Sequence, residues 1–239
     1  MSNLLKIGGA SMFGGAVLMF GRMAPIFANL PEELESFPPV GSEQLVILAR
    51  GVGPLWQMAH GLGALALIML AFGFYAHWQT ARDRNFGLVA NIMIGAAAMG
   101  LGLFTIAMLI DGWGVTGAIA AWDAGIGSFV AIEQTHAQAV FLYTWGNFLI
   151  FIAVATLGSL IIHRAFHVRL WGLIGLALGV LADTGFLFGL MGDHWNDRLG
   201  MTVMLFGMVW MAVTGLMAVF SRKPSDENAS RKPEVSPVT

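Results

Sequence analysis

Histidine and carboxylate side chains recur at the ends of the long apolar runs of this chain. They are His60, Asp111, Glu133, His136, Asp193 and His194, in a sequence of 239 residues of which only 11% are charged. Imidazoles and carboxylates together ligate Zn, Fe, Cu and Mn, and ionisable groups in or beside membrane spans commonly serve a function. We therefore predict a pocket that binds a divalent transition metal. Its predicted ligands are His60, Asp111, His136, Asp193 and His194.

The composition places this pocket in a membrane protein. Hydrophobic residues make up 57% of the chain, together with 31 glycines and 15 methionines. That much apolar surface exceeds what one soluble core of this size can hide, so the lipid bilayer is the expected partner. Glycine-rich faces suit close packing of helices in lipid. The apolar runs are continuous rather than alternating, which predicts helices and an all-α fold.

Six apolar runs approach the ~20 residues that a helix needs to cross ~30 Å of hydrocarbon. They cover residues 7–27, 54–75, 86–110, 137–162, 170–191 and 199–220. The first run has an alternative interpretation as a cleaved signal peptide, but Arg22 interrupts it and no A-x-A motif precedes Asn29, which favours a retained helix. We predict a polytopic transmembrane helix bundle of about six spans over residues 1–220. A polar, disordered tail is expected over 221–239.

The basic residues indicate which ends of the spans face the cytoplasm. Arg82 and Arg84 join the second and third spans, Arg164 and Arg169 join the fourth and fifth, and Arg222 follows the sixth. The opposite loops are mostly acidic, and tryptophans expected at that membrane interface are Trp56, Trp113, Trp122 and Trp195. By the positive-inside rule, we expect an inner-membrane protein with both termini in the cytoplasm and the pocket facing outward.

The two central hairpins share a pattern of His and Asp. The second and third spans run from His60 to LIDGW, and the fourth and fifth run from His136 to MGDHW. Duplication of a helical hairpin is one hypothesis for this pattern. Because the second and fourth spans run in the same direction, the two imidazoles lie level and could hold one haem b axially. Small residues below His60, such as Ala64 and Ala71, leave room for a macrocycle, although they equally suit ordinary helix packing.

Further polar residues lie deeper within the spans. Tyr143 and Asn147 follow His136 by seven and eleven residues, which puts all three on one helix face and predicts a polar path. Arg22 and Asp183 carry opposite charges in the outer halves of the first and fifth spans. An isolated charge at a helix centre costs ~2.5 to 3.5 kcal/mol on insertion scales, so we predict that these two residues form an ion pair.

Composition and motifs exclude several classes of function. A net charge of −2 provides no basic surface for nucleic acid, and no Gly-rich phosphate loop follows a strand, so we expect neither nucleic-acid nor nucleotide binding. The chain contains no cysteine, so thiolate ligands and disulfides are excluded.

Three functional hypotheses remain. In the leading one, the outward pocket binds a metal or haem and supports redox or hydrolytic chemistry on a lipophilic substrate. In the second, the chain is a small transporter or channel with a proton or ion path near Asp183, Asn147 and His136. In the third, it is an accessory subunit without catalysis, whose glycine-rich faces pack against other membrane subunits.

Overall fold

The computed structural model describes residues 3–34, 41–82, 86–163, 168–190 and 196–220. Within these ranges the chain is helical and contains no strand, which confirms the all-α prediction. The helices are α1 (Asn3–Gly21), α2 (Ala24–Phe27), α3 (Gly41–Val52), α4 (Pro54–Arg82), α5 (Gly87–Leu109), α6 (Val115–Asp123), α7 (Phe129–Ile162), α8 (Arg169–Leu190) and α9 (Asn196–Phe220). A π-helical turn, Ile110–Gly114, joins α5 directly to α6. The predicted tail over 221–239 lies outside the described residues.

Six stretches of helix in the described ranges are long and apolar enough to cross a membrane, as the sequence predicts. They are Asn3–Phe27, Pro54–Arg82, Gly87–Asp123, Phe129–Ile162, Arg169–Phe186 and Thr202–Phe220. The first contains α1 and α2, and the third runs from α5 through the π-helical turn to the end of α6. The chain therefore has the architecture of a multi-pass membrane protein.

Four of the six spanning stretches are longer than the apolar runs that predicted them. At 1.5 Å per residue, the 34 residues of α7 extend about 51 Å, well beyond the ~30 Å of the hydrocarbon. The apolar run was expected to begin at residue 137, but α7 begins after Ser128, whose side chain caps the helix by accepting a hydrogen bond from the Ala131 amide. Polar residues end an apolar run without ending a helix, so α7 is longer than the run that predicted it.

The spanning helices form a closed ring in chain order. Each packs against the next, from α1 to α4, α5, α7, α8 and α9, and α9 returns to α1. Helices α5 and α7 approach closely because Gly100 faces Gly146: a Cβ on Gly100 would lie 2.8 Å from the Gly146 carbonyl oxygen. The interior is filled by large buried side chains, which include Phe74, Phe104, Phe151 and Trp210. In the described residues the ring therefore encloses an apolar core, which we call the bundle core.

A second hydrophobic core covers one end of the ring. It is built by α2, α3 and α6 together with the first turns of α4 and α7, and we call this layer the cap. Helix α3 is amphipathic, since Leu45 and Leu48 are buried in the cap while Glu43 and Arg50 are exposed. His60 and Asp111, two residues of the predicted pocket, lie at the boundary between the cap and the bundle core.

Candidate functional site

Asp111 lies in the π-helical turn, at the boundary between the two cores. The residue is 6% exposed, and its backbone carbonyl accepts a hydrogen bond from the Trp56 indole at 2.9 Å. A π-helical turn widens a helix by one residue and is frequent at functional sites. Here it places an acidic side chain among buried groups of α4 and α7.

His60 of α4 holds the closest contact to the Asp111 carboxylate. Its Nε2 lies 3.2 Å from Asp111 Oδ2, and its Nδ1 lies 2.7 Å from the Trp56 carbonyl oxygen. Both neighbours are acceptors, whereas a neutral imidazole carries only one N–H. Both contacts are therefore hydrogen bonds when the pair holds one proton more than a neutral imidazole and a carboxylate would. The pair is then either imidazolium with carboxylate or neutral imidazole with carboxylic acid. The two side chains are only 5% and 9% exposed, so the pair is shielded from bulk water.

Helix α7 adds two further side chains to this carboxylate. The Tyr143 hydroxyl donates to Asp111 Oδ2 at 3.3 Å. His136 Nδ1 lies 3.7 Å from Asp111 Oδ1, which is beyond hydrogen-bond distance, and both atoms are buried without a partner among the described residues. The His136 side chain is 25% exposed. We call His60, Asp111, His136 and Tyr143 the polar cluster.

Arg22 lies beside the polar cluster rather than beside Asp183. Its Nε contacts Met19 Sδ at 3.2 Å, its Nη1 contacts the Ala59 carbonyl oxygen at 3.4 Å, and its charge interacts with Tyr143 and Asp111. The predicted ion pair with Asp183 is not formed. Helix α9 lies between α1 and α8 in the ring, so similar depth in the membrane does not make the two residues neighbours. Asp183 Oδ1 is buried and has no hydrogen-bond partner among the described residues.

The remaining predicted site residues divide into two groups. Asn147 is half-buried one helical turn beyond Tyr143, and among the described residues no hydrogen bond connects it to the polar cluster. Asp193 and His194 lie outside the described residues, as does the rest of the MGDHW segment. The duplication of the two hairpins consequently stays a hypothesis.

The described part of the chain does not present a metal-binding arrangement. No group of three His, Asp or Glu residues within it is placed to hold a metal ion. The physical reason is that both nitrogens of His60 already face protein oxygens, so neither is free to ligate. Axial haem ligation fits poorly too, because the Asp111 carboxylate stands against both imidazoles.

Three residues that support the polar cluster do not stand out as functional in the sequence. Trp56, expected at the membrane interface, is 5% exposed and bonds to Asp111 instead. Gly112 allows α4 to approach the π-helical turn, since an added Cβ would lie 2.7 Å from His60 Cβ. Gly63 leaves space for Arg22, whose Cδ would be 3.1 Å from an added Cβ. The proximity of Gly112 to Asp111 in LIDGW was the one available signal.

We expect Gly112→Ala to destabilise the protein by about 1 to 3 kcal/mol, because the new methyl group must displace His60 Cβ and overpack the site. Gly117→Ala is the matched control: an added Cβ there meets no atom within 4 Å. Alanine at 117 should be neutral or stabilising by up to ~1 kcal/mol, owing to its higher helix propensity. Thermal unfolding in detergent measures both, and equal melting temperatures for the two variants would contradict the close approach of α4.

Comparisons with known proteins do not assign this chain to a family. No protein-family model, curated protein or solved structure matches it. Its function therefore has to be inferred from the polar cluster and its surroundings.

Proposed function

We infer that this chain is a membrane transporter that carries protons, in which the His60 and Asp111 pair binds the proton. The observation that carries this proposal is the hydrogen-bond count at His60: two buried acceptors face its ring, so the pair requires one shared proton. Ionisable groups inside membrane proteins commonly form proton relays. This proposal develops the transporter hypothesis from the sequence.

Arg22 carries a positive charge that lowers the cost of releasing that proton. With one shared proton the His60 and Asp111 pair is neutral, and without it the pair carries one negative charge. A buried negative charge is costly unless an opposite charge lies nearby. Arg22 interacts electrostatically with Asp111 and has no carboxylate within ion-pair distance among the described residues. It can therefore stabilise the deprotonated pair without locking it in one state.

His136 connects the pair to the aqueous phase at the cap end. Its ring is partly exposed, and its Nδ1 faces the unpartnered Asp111 Oδ1 at 3.7 Å. A movement of less than 1 Å would bring the two atoms into hydrogen-bond range. On the opposite side, Phe104 packs against Tyr143 and belongs to the bundle core. Release toward that side requires a change in helix packing, as alternating access supposes.

Metal or haem binding with redox or hydrolytic chemistry is the less favoured function. It would require His60 to abandon its contact with either the Trp56 carbonyl or Asp111, and the donors in the described residues are not arranged around a metal position. A protonated pair needs no such rearrangement. Metal analysis of the purified protein tests this second function directly.

Proton flux into proteoliposomes containing a pH-sensitive dye tests the proposal. We expect the wild-type protein to admit protons under a potassium diffusion potential, and His136→Gln to lower the rate roughly 10²-fold, because glutamine cannot exchange protons. The control is Glu133→Gln, which removes an exposed acid one turn earlier on α7 and should leave the rate unchanged. Wild-type vesicles no leakier than empty vesicles, or equal rates in wild type and His136→Gln, would refute the proposal.

The orientation of the chain is a separate prediction that follows from the charges of the loops. A reporter fused after Ser221 should read as cytoplasmic, and one inserted after Asp123, in the cap, should read as external. Both results are expected for an inner-membrane protein with cytoplasmic termini. The reverse pattern would put His136 on the cytoplasmic side and invert the direction of proton entry.

A further inference from the structure

A groove opens on the surface of the cap, above the polar cluster. Its volume is about 290 Å³, near the lower end of the ~300 to 1,000 Å³ common for small-molecule sites. Helices α3, α4 and α6 line it, and its lining includes charged, polar and apolar side chains: Arg50, Asp123, Gln57, Thr116, Pro54 and Ile119. The groove thus combines a small apolar surface with two opposite charges.

The two charges at the rim of the groove are Arg50 and Asp123. They form an ion pair across the mouth of the groove, and Arg50 also lies over the Trp122 ring at 5.0 Å. Their side chains are 45% and 51% exposed. Exposed pairs contribute little to stability. A ligand that offers its own anion to Arg50 and its own cation to Asp123 could therefore replace this pair at small cost.

The floor of the groove connects it to the polar cluster. Gln57 donates to the Thr116 hydroxyl at 3.0 Å, and that hydroxyl donates to the Gly112 carbonyl at 2.8 Å. Gly112 in turn packs against His60. Gly112 also follows Asp111 directly in the chain. A ligand that hydrogen-bonds to Gln57 or Thr116 would thus contact the polar cluster indirectly, through Gly112.

We propose that this groove binds a small zwitterion, an α-amino acid with an apolar side chain, whose carboxylate is held by Arg50 and whose ammonium is held by Asp123. The apolar side chain would lie against Pro54 and Ile119. Arg50 and Asp123 lie near the C-terminal ends of α3 and α6, and their side chains are half exposed, so the ligand comes from the aqueous phase rather than from a lipid headgroup. Its role as the transported substrate rests on the proposed proton transport, whereas its binding does not.

Calorimetric titration of the full-length protein in detergent tests the site with three matched probes. L-Leucine carries both charges, 4-methylpentanoate lacks the ammonium group, and 3-methylbutylamine lacks the carboxylate. We expect saturable binding of L-leucine and at least ten-fold weaker binding of the other two, because each loses a charge-assisted hydrogen bond. Glycerophosphoethanolamine serves as the probe for a lipid headgroup.

Variants assign the binding to the rim of the groove. Arg50→Gln and Asp123→Asn should each weaken L-leucine binding by about ten-fold or more. The control is Arg82→Gln, because Arg82 stacks over Trp78 at 5.2 Å on α4 much as Arg50 stacks over Trp122. This variant should bind L-leucine like the wild type.

The outcomes separate this proposal from the proton-transfer proposal. Absence of L-leucine binding, equal binding of the singly charged probes, or tighter binding of glycerophosphoethanolamine would each overturn the zwitterion site. His136→Gln should still bind L-leucine, because His136 does not line the groove. L-Leucine binding without wild-type proton flux would refute the transporter alone, and proton flux without L-leucine binding would refute the groove alone.

Discussion

Replacement of Asp111 by asparagine should lower the free energy of unfolding by about 3 kcal/mol, at the low end of the cost of breaking a buried ion pair. Asparagine cannot carry the negative charge that compensates a protonated His60. Its amide also offers only one acceptor oxygen where the carboxylate offers two, which face His60, Tyr143 and His136. Reversible unfolding in mixed micelles of increasing denaturing-detergent fraction measures the loss.

An exposed acid provides the control for this experiment. Asp123→Asn removes a carboxylate whose side chain is 51% exposed, and it should cost no more than ~1 kcal/mol. A double-mutant cycle with His60→Asn then isolates the pair: the two changes together should cost less than the sum of the single changes. If Asp111→Asn is as mild as Asp123→Asn, the buried pair with a shared proton does not exist.

Arg22→Gln should cost about 2 kcal/mol, the range expected for lost hydrogen bonds to a charged group. The double-mutant cycles distinguish its two possible partners. Arg22→Gln and Asp111→Asn should be non-additive by at least ~0.5 kcal/mol, because Arg22 interacts electrostatically with Asp111. Arg22→Gln and Asp183→Asn should add within ~0.5 kcal/mol, because α9 separates the two helices.

The conservative variant Arg22→Lys provides a second measurement in the same assay. Lysine keeps the positive charge but loses the planar donors that reach Met19 and the Ala59 carbonyl, so it should recover only part of the lost stability. Coupling of Arg22 to Asp183 and not to Asp111 would contradict the structure and restore the pair expected from sequence.

The sequence predicted part of the polar cluster correctly and one ion pair wrongly, and both predictions used the same argument. Sequence reasoning placed His60, Asp111 and His136 at one depth, because depth follows from the position of a residue along its span. It placed Arg22 and Asp183 at one depth by the same argument, yet only the first three residues meet. Shared depth is necessary for contact but does not say which helices are neighbours.

Sequence alone determined the all-α class and the number of spans, since both depend on the length of continuous apolar runs relative to the bilayer. It also supplied the residue types of the polar cluster. Only the tertiary structure decided the order of the helices in the ring, the cap in which α6 and α7 extend beyond the apolar runs, and the π-helical turn that aims Asp111 at His60. These features depend on side chains of different helices fitting one another. Close approaches at Gly112 and Gly63 decide which polar groups touch, and a periodicity along one helix carries no information about the surface that faces it.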